Sequence, residues 1–192
     1  GSIDGALFDL GLSSTQLEAS GRGFSFLRDE PLSMTFACDP QSDTVTAMTV
    51  LNDWSEASIQ TILSGFGEER FARSIARGIV AARTERPIET TFQLVEIIKA
   101  STPSWYQRGR THPATRTFQA VRMAVNGELD AITEAITAIA PKVNLGGRIA
   151  IISFHSIEDR LVKQQFLELC ASGRFERVTK KPIIPTPEEI SA

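Results

Sequence analysis

The sequence predicts an α/β protein in which a helical segment interrupts a parallel sheet, and three observations support this prediction. The segments 3–10 and 148–154 are mostly apolar and have strand character. Each ends in a polar loop, and the residues between them follow a mostly helical pattern. Ligands of open α/β sheets bind beyond the carboxyl ends of the strands. We therefore expect the polar residues after the two strands to line one crevice.

The composition is that of a globular protein with one good core and room for a small second one. Of the 192 residues, 42% are hydrophobic and 22% are charged, which is ordinary for a globular protein. No apolar run approaches the roughly 18 residues that could span a bilayer, and no signal peptide opens the chain. Cys38 and Cys170 are too few for a disulfide framework or a zinc site. These features predict a cytoplasmic protein that uses no metal.

The net charge of −3 conceals a basic middle segment. Residues 66–122 contain ten Lys or Arg and five Glu, a charge of +5, so the rest of the chain carries −8. A basic segment in an acidic protein suggests a surface for a polyanion such as RNA. The alternative is a solvated helical face, because Arg is a good helix former.

Helix signals fill the first part of the middle segment. Ser55 is a candidate N-cap in a helix at 52–65, which Gly65 ends. A second helix is predicted at 68–83, where Phe71, Ile75 and Ile79 share one face, and a third from Thr90 or Thr91 to Ala100. Residues 28–45 show no period.

The second part of the middle segment begins with a polar loop at 101–111. Trp105 and Tyr106 lie there beside Arg108 and Arg110, a mixture that can stack on unpaired bases but is also common in ordinary loops. One long helix is predicted at 114–140, and Gly146–Gly147 then turns the chain into the strand at 148–154. Ser156 resembles the N-cap of a last helix to about Cys170, and a closing antiparallel pair is predicted at 175–179 and 181–184.

The chemical candidates lie at the ends of the two strands. Asp9 ends the first strand, where a carboxylate holds a ligand or caps the next turn. His155 follows the second strand, where an imidazole can act as a general base, although a single His is more often structural. Ser13 and Gln16 follow Asp9 in the first loop. Walker, zinc and nucleophile-elbow motifs are absent from the sequence.

Five motifs together resemble the ribosomal small-subunit methyltransferase H family (RsmH, formerly MraW). They are DGALFDLGLSSTQL, GRGFSF, GEERFARSIARGIV, HPATRTFQAVRMAVNGEL and GGRIAIISFHSIEDRLVK, in the family's order. The resemblance implies a class I Rossmann-like methyltransferase sheet with an inserted all-helical domain, here incomplete. It implies core segments at 1–27 and 112–192, with a helical RNA-recognition insertion at 28–111.

The resemblance also implies a function and its residues. The family uses S-adenosyl-L-methionine to methylate N4 of a decoding-centre cytidine in 16S rRNA of the small ribosomal subunit. Asp9 and Gln16 match positions that contact the cofactor, and Asp9, Ser13 and His155 are the candidates for catalysis. The basic helices and loops would bind rRNA through six arginines, Arg70, Arg73, Arg77, Arg108, Arg110 and Arg116.

The sequence departs from the family pattern in ways that leave two alternatives open. The glycine-rich cofactor loop expected before residue 3 and the basic tail expected after Glu189 are not in this chain. Ser33 and Thr35 replace an acid and a base of the family. A catalytically inactive fragment or an RNA-binding module therefore remains an alternative to an active methyltransferase. We also expect the edge of strand 3–10 to be exposed, which would favour a homodimer.

Overall fold

The structure is a computed structural model that describes residues 1–13, 15, 20–37, 40–41, 44–186 and 188–189. Within these residues it is a mixed α/β protein with one two-stranded parallel sheet and eight α-helices. The chain divides into two compact units. The α/β unit comprises Gly1–Leu10 and Ile132–Ala192, and the helical unit comprises Gly11–Ala131. The predicted domain boundaries after residues 27 and 111 both fall inside the helical unit.

The α/β unit is built on strands β1 (Ile3–Asp9) and β2 (Val143–Ile152), which pair in parallel from Gly5↔Arg148 to Asp9↔Ile152. The prediction of a strand at 3–10 is confirmed. The second strand begins earlier than predicted, because the two glycines lie within an irregular part of β2 instead of preceding it. Gly146 has φ +81°, and a Cβ on Gly147 would lie 2.9 Å from the Asp4 carbonyl oxygen, so this close approach requires glycine.

An apolar run such as that of β1 is typical of a strand covered on both faces, but the described residues do not cover β1 in this way. Leu7 is 69% exposed, and Asp9 is also exposed. On β2, Leu145 and Ile152 are exposed as well. The apolar pattern was correctly interpreted as a strand, but the residues that the structure describes do not cover it.

Among its described residues, the helical unit contains five helices of seven or more residues around one core. They are α1 (Ala47–Asp53), α2 (Glu56–Gly65), α3 (Ala72–Glu85), α4 (Thr91–Ala100) and α6 (Thr115–Asn126), with the short α5 (Ser104–Gln107) between the last two. Ser55 caps α2 by accepting from the Ser58 N–H, and Thr90 caps α4 in a capping box with Gln93, as predicted.

The predicted long helix at 114–140 is wrong, because Gly127 divides it. Gly127 adopts φ +58° and ends α6, and α7 (Glu128–Ile139) follows at once. The apolar period continues across the break, which explains why the sequence suggested one helix. The division between the two compact units falls within α7.

The last helix is α8 (Ser156–Ala171). Its N-cap is His155 and not Ser156 as predicted, so the helix begins one residue earlier than expected. The predicted strands at 175–179 and 181–184 are not present. In the described part of the chain, no helix is long and apolar enough to cross a membrane.

Candidate functional site

The parallel pairing of β1 and β2 places two predicted site residues at the same edge of the sheet. Asp9 is the last residue of β1 and pairs with Ile152, the last residue of β2. The Leu10 N–H donates to the Ile152 carbonyl oxygen at 3.1 Å, so the two chains leave the sheet side by side. The Asp9 carboxylate is exposed and forms no ion pair among the described residues. It is therefore accessible to a ligand at this edge.

His155 lies three residues after β2, and its imidazole caps α8. Nδ1 accepts from the Glu158 N–H at 3.3 Å. Histidine is an unusual residue at the N-cap of a helix. An Nδ1 that accepts requires the proton of a neutral imidazole to be on Nε2. Nε2 lies 3.1 Å from Glu158 Oε1, within ion-pair distance when the imidazole is protonated, but it makes no hydrogen bond with a described residue. His155 thus has a structural contact at each nitrogen.

Glu158 is the buried partner in this cap. Its side chain is only 2% exposed, and Oε2 accepts from the Phe154 N–H at 2.9 Å and the His155 N–H at 3.4 Å. Burial raises the pKa of the Glu158 carboxyl, but hydrogen bonds from His155 and Phe154 outweigh burial and leave that pKa below its usual value. Glu158 is therefore a carboxylate at neutral pH, and it fixes both the imidazole and the start of α8. Glu158 was not among the predicted site residues, although its i+3 spacing from His155 is a capping-box signal.

The other residues predicted near Asp9 give less information. Ser13 is exposed and belongs to the helical unit, whereas Asp9 belongs to the α/β unit. Gln16, predicted to bind the cofactor, lies outside the described residues. Among the described residues no group of three or more His, Cys, Asp or Glu is arranged to hold a metal ion.

A second candidate surface lies on the helical unit, where three of the predicted RNA-binding arginines meet. Arg70, Arg73 and Arg77, with Phe71 and Ser74, line an open cavity of about 390 Å³, which we call the arginine pocket. None of the three arginines forms an ion pair with a described residue. Their charges are therefore available to an anionic partner.

Aromatic side chains border the arginine pocket. The ring centroids of Trp105 and Tyr106 lie 5.8 and 4.9 Å from that of Phe71, and both pairs meet edge to face. The Arg70 guanidinium carbon lies 5.2 Å from the Trp105 ring centroid, within cation–π distance. Trp105 is 56% exposed. Trp105 and Tyr106 were predicted as part of a polar loop, and in the structure Trp105 contacts Arg70, which lies far earlier in the chain.

The remaining predicted RNA-binding arginines do not line the arginine pocket. Arg116 donates to the Glu68 carbonyl oxygen, and the Arg108 Nε donates to the Ser104 carbonyl oxygen at 3.2 Å. Both guanidiniums thus have contacts within the fold. Arg110 is exposed. The net charge of the segment did not distinguish arginines that bond within the fold from arginines that are available to an anionic partner.

Comparisons with known proteins agree with the motifs. A family model described as the MraW methylase family matches residues 1–192. Three relatives named ribosomal RNA small subunit methyltransferase H align with nearly the whole chain. The protein of Paenibacillus sp. (strain JDR-2) is 46% identical over 98% of this chain and 63% of its own length. Those of Oleidesulfovibrio alaskensis and Clostridium botulinum (strain Kyoto) are 44% and 45% identical, over 99% and 97% of this chain and 63% and 64% of their own lengths. The chain thus spans somewhat less than two thirds of these relatives.

Proposed function

The chain belongs to the MraW methylase family, and on this basis we propose that it takes part in methyl transfer from S-adenosyl-L-methionine to small-subunit ribosomal RNA. The acceptor is N4 of a decoding-centre cytidine in 16S rRNA, and the reaction takes place in the cytoplasm, where ribosomes are made. The name of these relatives, ribosomal RNA small subunit methyltransferase H, supports the substrate class.

The parallel register of β1 and β2 is the observation that carries this proposal. It brings Asp9 and the loop that contains His155 to the carboxyl edge of one parallel sheet, where α/β enzymes bind their ligands. A Rossmann-like sheet with a helical insertion is the architecture proposed for the whole protein, with core segments at 1–27 and 112–192 and RNA recognition at 28–111. The compact helical unit, residues 11–131, supports such an insertion in general form.

The chemistry requires control of a poor nucleophile. The lone pair of the cytosine amine is delocalised into the ring, so the site must orient the amine toward the methyl group and accept a proton from it. S-adenosylmethionine supplies the electrophilic methyl group. Asp9 and Gln16 would hold the cofactor, and the oxygens of Asp9 and Ser13 would accept from the amine hydrogens.

His155 is the proposed proton acceptor, and its geometry defines what that role requires. Because Nδ1 accepts from the Glu158 N–H, the proton of the neutral imidazole is on Nε2, which faces the Glu158 carboxylate and cannot accept another proton. The imidazole would therefore have to leave the cap on substrate binding, so that the Nδ1 lone pair becomes free to accept a proton from the amine. The arginine pocket, with Arg108, Arg110 and Arg116, would contact the RNA backbone.

A calorimetric titration of this chain with S-adenosylmethionine is the first test. Saturable micromolar binding that Asp9→Asn weakens at least tenfold would support a cofactor site at the carboxyl edge. The matched control is Glu168→Gln, which changes an exposed carboxylate on α8 and should leave the affinity for S-adenosylmethionine unchanged. Equal affinities for the wild type and Asp9→Asn would remove Asp9 from the cofactor site.

Two substitutions separate catalysis by His155 from capping by His155. Asn is a good N-cap but cannot act as a general base, whereas Ala is neither. The assay measures methyl transfer to purified small ribosomal subunits, and it uses the whole protein that the gene encodes. If His155 is the base, both His155→Asn and His155→Ala lose about 10²–10⁴ in rate. If only His155→Ala loses activity, the residue is a cap.

RNA binding without catalysis is the second candidate function, and the unpaired arginines of the arginine pocket favour it. Affinity for small-subunit RNA without any methyl transfer, even with cofactor bound, would support this alternative.

A homodimer through the edge of β1 is also proposed, because the free edge of an apolar strand can pair with another copy. A stable monomer by light scattering at high concentration would contradict the dimer.

A further inference from the structure

We propose that Trp105 is a stacking platform for one unpaired RNA base, and that the arginine pocket beside it binds the neighbouring phosphates. This inference rests on the proposed function, because it assumes that the substrate is RNA. It adds a binding mode that the motifs do not specify, namely a single extruded or single-stranded nucleotide held on the helical unit.

The exposure of Trp105 is the first observation behind the platform. An indole that is 56% exposed leaves a large apolar ring in water, although protein interiors and interfaces usually bury such rings. The Arg70 guanidinium approaches the same ring at 5.2 Å. An arginine beside an exposed aromatic ring is the combination that binds single-stranded nucleic acid, since every base has a π-face.

The platform is held in place before any ligand binds. The Tyr106 hydroxyl donates to Glu69 Oε2 at 2.8 Å, and the other oxygen of this buried carboxylate accepts from the Phe71 N–H at 2.8 Å. On the other side, the Gln107 amide donates to the carbonyl oxygens of Lys99 and Thr102. The short helix α5 is therefore fixed to both α3 and α4. A fixed ring loses little conformational entropy on binding.

The arginine pocket supplies the charge that a nucleotide needs. Arg70, Arg73 and Arg77 line one cavity and have no described carboxylate to neutralise them. The Ser74 hydroxyl, which also lines the cavity, donates to the Ser101 carbonyl oxygen, so the arginines are its main free donors. An acidic peptide would satisfy the charges but would not use the exposed face of Trp105. RNA satisfies both features.

Tryptophan fluorescence can test the platform directly. The chain has two tryptophans, Trp54 and Trp105, so Trp54→Phe leaves Trp105 as the single reporter. This variant is titrated, without cofactor, with a single-stranded eight-nucleotide RNA. We expect saturable quenching of Trp105 by the RNA and none by inorganic tripolyphosphate, which has charge but no base to stack.

Substitutions then separate stacking from charge. Affinity is measured by polarisation of a labelled RNA, and we expect Trp105→Ala to lose roughly 5- to 150-fold in affinity while Trp105→Phe keeps most of it. Arg73→Gln with Arg77→Gln should reduce the slope of log affinity against log salt by about 1.4, or about 0.7 for each phosphate contact. Arg86→Gln, at an exposed arginine at the end of α3 outside the arginine pocket, removes one charge and is the control for each single change of the pair. It should change the slope far less.

Three results would overturn the inference. One is a Trp105→Ala variant that keeps its circular dichroism spectrum and binds RNA as the wild type does. Another is an arginine pair variant that behaves like Arg86→Gln. The third is an acidic peptide that competes as well as RNA, which would indicate a protein-docking surface. RNA binding is measured without cofactor, so it can be judged separately from methyl transfer. If the RNA affinity depends on Trp105 but the protein transfers no methyl group, the platform is supported and the proposed function is rejected. Any of these three results in a protein that does transfer methyl groups would reject the platform alone.

Discussion

The helical unit and the α/β unit differ sharply in how they bury apolar side chains. Of the twelve largest fully buried side chains among the described residues, eleven lie in the helical unit, and Ile136 is the exception. In the α/β unit, Leu7 and Phe154 are each 69% exposed, and Leu145 is fully exposed. The unit that holds the arginine pocket thus has its own core. The unit that holds the proposed cofactor edge exposes much of its sheet.

This difference indicates that the two proposed activities have different structural requirements. A two-stranded sheet is at best marginally stable by itself, and it needs further strands or packing to persist. The carboxyl edge around Asp9 therefore depends on whatever covers the apolar faces of β1 and β2. The arginine pocket lies on helices that pack against each other. We expect RNA binding to persist under conditions that abolish cofactor binding.

A matched pair of leucines gives the largest expected contrast. Leu63 on α2 is completely buried, so Leu63→Ala should lower the free energy of unfolding of the helical unit by about 2–5 kcal/mol. Leu7→Ala should change the stability of β1 by less than about 0.5 kcal/mol, because Leu7 is already exposed to water. Urea unfolding followed by tryptophan fluorescence measures the first loss, since both tryptophans lie in the helical unit, and amide hydrogen exchange in β1 measures the second. Comparable losses of stability in the two variants would contradict the difference in apolar burial between the two units.

A pair of glycines with positive φ tests whether the units unfold separately. Gly127 at +58° and Gly146 at +81° each have open space where a Cβ would be, so an alanine costs backbone strain alone, about 1–2 kcal/mol. Gly127→Ala should lower the fluorescence-detected unfolding midpoint. Gly146→Ala should leave that midpoint in place and increase amide hydrogen exchange in β1 and β2. If both variants lowered the midpoint equally, the units would unfold as one.

Acid should affect the α/β unit first, through Glu158. The folded-state pKa of Glu158 is lowered, so its contribution to stability is present above the unfolded-state pKa and is lost as pH falls through the folded-state value. Amide exchange at the start of α8 should therefore rise below about pH 4. In Glu158→Gln this rise should be absent, whereas Glu168→Gln should keep it. An unchanged acid profile in Glu158→Gln would assign the transition to another group.

Alkali should affect the helical unit, through Tyr106, and this is the smallest expected effect because the ring is partly exposed. Burial raises the pKa of Tyr106 to about 12, and the Glu69 carboxylate adds to the rise. The stabilisation is full below the unfolded-state value near 10 and is lost as pH rises through about 12. Tyr106 is the only tyrosine, so ultraviolet absorbance reports its titration alone. A midpoint near 10 in the folded protein would contradict the bond to Glu69, and Glu69→Gln should lower the midpoint.

Local signals in the sequence predicted part of this fold correctly. The caps at Ser55 and Thr90 were recognised because hydroxyl side chains satisfy the first free N–H groups of a helix wherever the chain enters one. The strand at β1 was recognised from its apolar run. Each of these signals depends on a few neighbouring residues, which is why no knowledge of the tertiary structure was needed.

Features that depend on distant residues were missed. Leu32 and Met34 are fully buried in a segment without any period, because Leu32 bonds to Glu89 and Met34 bonds to Arg22 through their backbones. The aromatic contacts of Arg70 were likewise not visible, since Trp105 lies far along the chain. His155 was considered as a base, but its capping bonds became evident only from the geometry. The sequence indicated which side chains could do chemistry, and the structure showed which of them already have partners.

The helix break at Gly127 also has a consequence for the chemical durability of the chain. The Asn126 amide oxygen accepts from the Phe36 N–H at 2.8 Å, while its nitrogen donates to the carbonyl oxygens of Met34 and Arg122. An asparagine before glycine deamidates readily in a flexible chain, where the glycine nitrogen can attack the side-chain amide. Here the Gly127 N–H donates to the Met123 carbonyl oxygen, and three hydrogen bonds hold the Asn126 amide away from that attack. The bonds that tie the segment around Met34 to the end of α6 therefore also protect Asn126 from deamidation for as long as the helical unit stays folded.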